Sequence, residues 1–104
     1  MITFDWDDCD METIAQRMSY LEKLYPKQRI LFRESASKKG FHCKVMNVKN
    51  DFFLRLNLLD DRQRIKLDQM RELEGLPINI LFDRKDYKFL FWKFTRKAGE
   101  WKEW

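Results

Sequence analysis

The side chains of this 104-residue chain best suited to chemistry are three aspartates and its only histidine. Asp5 and Asp7 stand two apart in Phe4-Asp5-Trp6-Asp7, and Asp83 closes the apolar run Ile80-Leu81-Phe82. Carboxylates two apart on a strand point to the same side. Such a pair, with Asp83 as a third ligand, suits Mg²⁺ or Mn²⁺, hard cations that keep waters for a phosphate-bearing substrate. His42 is the candidate catalytic base or phosphate-orienting group. Arg33, Ser37, Lys38, Lys39 and Lys44 supply the cations and the hydroxyl that a nucleotide or nucleic acid would engage.

These residues need a scaffold to bring them together, and the hydrophobic periodicity supplies one. Ile2–Asp7 alternates apolar and polar, which predicts a half-buried strand with Ile2, Phe4 and Trp6 inward. Met11, Ile14, Met18, Leu21 and Tyr25 recur at helical spacing behind Asp10 as N-cap, and Pro26 ends that helix. Strands are predicted over Arg29–Arg33 and Phe41–Met46, joined into a hairpin by the polar stretch Glu34–Gly40. From Asp51 the pattern is helical in two pieces, with Asp60 or Asp61 capping the second and Gly75 and Pro77 stopping it. Ile78–Asp83 alternates again, Arg84–Asp86 reads as a polar turn, and Lys88–Thr95 reads as a last strand. Ala98–Trp104 lacks a clear period and reads as a tail.

The resulting order is β-α-β-β-α-β with an added C-terminal strand. It predicts an α+β fold, a ferredoxin-like or RRM-like sheet with helices on one face, formed by residues 1–97 as a single domain with 98–104 as a tail. In such a sheet the first and third strands pair in the middle. Strand parity then sends Asp5, Asp7, Arg33, His42, Lys44, Asn79 and Asp83 to the open face. An open face is polar in any case, so a solvated surface is the bland alternative for each of them. Asp60 with Arg64, Arg64 with Asp68, and Asp68 with Arg71 have the spacing of ordinary ion pairs on a helix surface.

The motifs also carry a resemblance. Phe4-Asp5-Trp6-Asp7 resembles the hDhD strand of the archaeo-eukaryotic primase and primase-polymerase superfamily, Ser37-Lys38-Lys39-Gly40-Phe41-His42 resembles its serine-x-glycine-x-histidine motif, and Ile80-Leu81-Phe82-Asp83 resembles its third motif. Lys38 stands where a first glycine is usual. The resemblance implies metal ligation by Asp5, Asp7 and Asp83 and phosphate contact by Ser37 and His42. The segment from Leu59 to Arg71 is similar to one in small proteins of archaeal viruses and plasmids. The chain has room for the catalytic-like core and for none of the modules that hold template and primer, so a reduced, binding-only derivative is expected.

Bulk composition sets the outer bounds. Hydrophobic residues are 44% and charged residues 37%, which allows one core under a dense ionic surface, and the net charge of +4 permits a nucleic-acid partner. No apolar run approaches the roughly 20 residues of a membrane span. The acidic start (Asp5, Asp7, Asp8, Asp10) is unlike a secretory signal and two cysteines make no disulfide framework, so a cytoplasmic setting is expected, that of the host if the protein is viral. Cys9, His42 and Cys43 do not make a zinc site, because Cys43 and His42 point to opposite faces. The aromatic run Lys88–Thr95 either stacks nucleobases or is buried in the core and in a homodimer interface through the C-terminal strand. Nucleic-acid or nucleotide binding, single strands favoured, is the leading expectation. Metal-dependent nucleotidyl transfer or nuclease chemistry, and a protein-binding module aimed at a host factor, are the alternatives.

Overall fold

A computed structural model describes residues 1–104. Strand β1 (Ile2–Asp7) leads into helix α1 (Met11–Leu24), and β2 (Ile30–Glu34) and β3 (Gly40–Val45) form the expected hairpin. Helices α2 (Phe52–Asn57) and α3 (Arg62–Leu73) follow, then β4 (Arg84–Phe89), β5 (Trp92–Lys97) and the short β6 (Lys102–Glu103). The chain is α+β, with antiparallel sheets and three helices. No helix is long and apolar enough to cross a membrane.

The main sheet has the order β1-β3-β2-β6. Its inner face carries Ile2, Phe4, Trp6, Ile30, Cys43 and Val45, which close on Ile14, Met18 and Leu21 of α1 and Leu54 of α2. Alternation in the strands and the three-to-four spacing in α1 thus converge on one apolar layer. Each helix begins on an aspartate. Asp10 accepts from the Thr13 backbone N–H, Asp51 from that of Leu54, and Asp61 from those of Gln63 and Arg64. Asp61, the second of the two candidate caps, therefore sets the break between α2 and α3.

Three expectations are corrected. Ile78–Asp83 is an irregular segment and not a strand, because Asn79 takes a left-handed φ of 62° that ends the alternation. Asn79 is consequently buried, with its amide turned to the edge of β1. The Lys88–Thr95 stretch is not one strand either. The chain reverses at Leu90-Phe91, with Leu90 at φ 54°, so Arg84–Asp86 belongs to β4 and a separate two-stranded hairpin results. Finally, part of the 98–104 tail joins the sheet. Lys102 and Glu103 pair with Phe32 and Leu31, and the Trp104 indole N–H donates to Glu22 at 2.7 Å.

Candidate functional site

Register places the polar residues of the outer face in rows across the sheet. Asp5 lies opposite His42 and His42 opposite Arg33, so β1, β3 and β2 contribute one residue each to a single row. Arg33 organises it. Its Nε donates to His42 Nδ1 at 3.0 Å and its Nη1 to Asp83 Oδ1 at 2.6 Å. His42 Nδ1 is therefore an acceptor and the ring hydrogen sits on Nε2, which faces Asp5 Oδ1 at 3.7 Å.

The row is covered, which overturns the expected open face. Trp101 lies over Arg33 at 4.3 Å and Lys44 at 4.1 Å, and the Phe82 carbonyl also accepts from Arg33. Arg33 and His42 are each only 5% exposed. Burial, with Arg33 and Arg64 nearby, lowers the His42 pKa to about 4, so the ring is neutral at neutral pH and its contact with Asp5 is not an ion pair. Burial, with the Asp7 charge beside it, raises Asp5 to about 6. As placed, His42 offers the cleft an N–H donor and no free lone pair, the opposite of what a general base needs.

Asp5 and Asp7 line an open cleft of about 320 Å³ with Asp61, Ser35, Ser37, His42, Arg84 and Lys85. Asp83 is elsewhere: it lines a second, smaller hollow with Thr3, Lys44 and Trp101, and its carboxylate is taken by Arg33. The three carboxylates implied by the resemblance thus do not converge, and no group of three histidine, cysteine or acidic side chains has the arrangement of a metal centre. The residues present do not fit the expected Mg²⁺ or Mn²⁺ triad.

The β2–β3 loop gives the remaining candidates. Ser37 Oγ is 3.0 Å from Ser35 Oγ and accepts from the Lys39 N–H, so it serves the loop itself. Lys38 takes a left-handed φ of 63°, the conformation that glycine adopts at no steric cost, and sends its ammonium to the Lys97 carbonyl at 3.1 Å. Lys39 is exposed. Gly40 is needed for space: a Cβ there would lie 2.1 Å from the Trp6 carbonyl oxygen. Lys44 is half-buried under Trp101, and burial lowers its pKa.

Sequence reasoning missed a buried polar network. Arg55, fully buried, donates to Asp60 Oδ2 and to Asp68 Oδ2, each at 2.8 Å. Arg64 binds Asp60 and reaches Thr3 Oγ1 at 2.7 Å. Asp60 also accepts from the Asp5 backbone N–H at 2.8 Å. The charges of α3 read as surface pairs are thus partly interior ones: Asp60–Arg64 forms, but Asp68 pairs with Arg55 across helices. The available signal was an arginine inside the apolar run Phe52–Leu56. Trp101 was missed as well, and a tryptophan in a short charged stretch was its only sign.

Compared with protein families, curated proteins and solved structures, the chain matches none.

Proposed function

We propose that the protein binds nucleic acid and takes phosphates on a basic rim made by the β2–β3 loop and the foot of the β4–β5 hairpin. One observation carries this reading. Hairpin residues 84–97 hold six basic side chains against the single acid Asp86, while the whole chain has a net charge of only +4. Arg84, Lys85 and Lys97 are exposed beside Lys38 and Lys39, and the Lys38–Lys97 hydrogen bond joins the two segments. Asp5, Asp7 and Asp61 face this rim across the cleft and repel an anion from its floor, so phosphates are held at the rim. Of the residues expected from sequence, Lys38 and Lys39 keep a contact role. Arg33, His42 and Lys44 act beneath Trp101 as the support of that face.

Fluorescence anisotropy of a labelled oligonucleotide tests this. Affinity should fall linearly with salt on logarithmic axes. Replacing both Lys38 and Lys39 by alanine should weaken binding and flatten that slope by roughly 1.4 for two lost contacts on a single strand. Absent or salt-independent binding is the result that removes the proposal. Metal-dependent transfer chemistry has less support, because Asp83 lines a separate hollow from Asp5 and Asp7 and its carboxylate is taken by Arg33.

A further inference from the structure

The β4–β5 hairpin has two unlike faces. Cross-strand pairing sets Lys85 opposite Arg96, Tyr87 opposite Phe94, and Phe89 opposite Trp92. Strand alternation puts all six on one side and Arg84, Lys88, Lys93 and Lys97 on the other. No helix or strand packs extensively against the hairpin. The aromatic side is consequently left in water: Phe89 is 67% exposed and Trp92 74%. Neither burial in the core nor in the main sheet accounts for these rings.

We infer that this aromatic face is a stacking platform for the unpaired bases of a single-stranded nucleic acid. The inference rests on the nucleic-acid reading above and specifies its ligand. Tyr87 and Phe94 stack on each other with centroids 5.3 Å apart and planes 11° from parallel, which makes a firm first step. Phe89 and Trp92 form a second step one strand repeat further out, about 6.8 Å away. That is twice the ~3.4 Å rise per nucleotide of a stacked strand. Bases seated on both steps are therefore unstacked from one another, as in an extended single strand, whereas a duplex hides its base faces. Lys85 and Arg96 stand at the foot of the same face, where Arg96 lies 5.2 Å from the Tyr87 ring centroid, in place to pair with the backbone of the stacked nucleotides.

Charge decides among occupants. Cations run the full length of the ribbon on the side opposite the rings, from Arg84 and Lys97 at the foot to Lys88 and Lys93 near the tip, and Lys85 and Arg96 add two at the foot of the ring side. That distribution follows a linear polyanion. A bilayer-seated tip would carry its cations at one depth, and a second copy of this chain would bring another six cations against these.

The full chain is titrated with oligothymidylate and with a duplex, following tryptophan emission and the anisotropy of the labelled strand. The single strand should bind more tightly than the duplex and quench tryptophan emission. Phe89→Ala with Trp92→Ala should weaken single-strand binding on the order of tenfold and leave the salt slope unchanged. Phe89→Tyr with Trp92→Phe, which keeps the rings, should restore affinity and guards against misfolding as the cause of the loss. If the alanine pair binds like the unaltered chain while the Lys38, Lys39 variant is impaired, the platform is overturned and the basic rim stands. If nothing binds, both fall. Equal or tighter duplex binding overturns the platform. So does a tryptophan blue shift with anionic phospholipid vesicles without an oligonucleotide response, or a dimer in sedimentation that only the alanine pair dissociates.

Discussion

Asn79 gives its side-chain oxygen to Thr3 twice, accepting from the backbone N–H at 3.1 Å and from the hydroxyl at 2.9 Å. Two residues on, the Asp5 backbone N–H is met by the Asp60 carboxylate. These are the outward donors of β1, at the edge where a fourth strand of a ferredoxin-like sheet would pair. Side chains from α3's cap region and from an irregular segment do the work of that strand's carbonyls, and they blunt the edge against pairing with another chain.

The ion cluster behind that edge should be indispensable to folding. Arg55→Met leaves Asp60 with Arg64 alone and Asp68 with no cation in a buried site. A loss of about 3–5 kcal/mol is expected in urea unfolding at neutral pH. Arg55→Lys should fall between, because an ammonium cannot reproduce the fork that reaches both carboxylates. A loss below about 1 kcal/mol for the methionine variant would show the cluster to be dispensable.

Asp5 and His42 should contribute opposite slopes to stability against pH. The folded pKa of Asp5, about 6, lies above its ordinary 3.8, so between those values the folded chain keeps a proton that the unfolded chain has lost. Stability from this group rises as pH falls through that window. The folded pKa of His42, about 4, lies below its ordinary 6.5, so the unfolded chain takes up a proton that the folded chain refuses, and stability falls as pH falls from 6.5 to 4. The two nearly cancel. Relative to the unaltered chain, His42→Gln should gain stability on acidification across this range and Asp5→Asn should lose it, each on the order of 2 kcal/mol. Unfolding at a series of pH values reads both, and slopes of the same sign in the two variants would contradict the assignment.

Trp101 keeps water from the Arg33–His42 row, with its ring centroid 6.5 Å from that of His42. Trp101→Ala should let the His42 pKa climb back toward its ordinary value. With a single histidine in the chain, its ring-proton resonance in an NMR titration reports this directly. An unchanged titration midpoint would mean that the cover comes from Phe82 and its neighbours.

Lys38 and Gly40 should answer in opposite directions. Lys38→Gly relieves a left-handed backbone and should raise stability by up to about 1 kcal/mol while weakening oligonucleotide binding. Gly40→Ala drives a methyl into the Trp6 carbonyl at the β1–β3 pairing and should cost about 2–4 kcal/mol. Thermal melts of the two variants check both signs.

What could be read from sequence was what local pattern controls. β1, α1 and the β2–β3 hairpin follow from alternation, helical spacing and the Asp10 cap, and the Asp61 cap splits α2 from α3. Ile78–Asp83 misled because Ile78, Ile80 and Phe82 alternate like a strand, while the backbone reversal at Asn79 is stabilised by partners at positions 3, 50 and 68 that no local pattern reveals. The β4–β5 turn was hidden because Leu90-Phe91 contains none of the glycine or asparagine that usually marks a two-residue hairpin. Parity placed Asp5, His42 and Arg33 correctly in one row. It could not foresee that Trp101 would lie on top of them.

The exposed rings of the hairpin also govern how the protein behaves at high concentration. Phe91, at the tip, is 97% exposed, and between separate molecules such tips attract while the six cations behind them repel. At 0.1 M salt that repulsion reaches about 10 Å, and at 1 M only about 3 Å. The colloidal stability of the free chain is therefore electrostatic and should be poorest in concentrated salt, where precipitation sets in first. A bound polyanion that covers the rings would keep the chain in solution by a different means, shielding the adhesive surface itself.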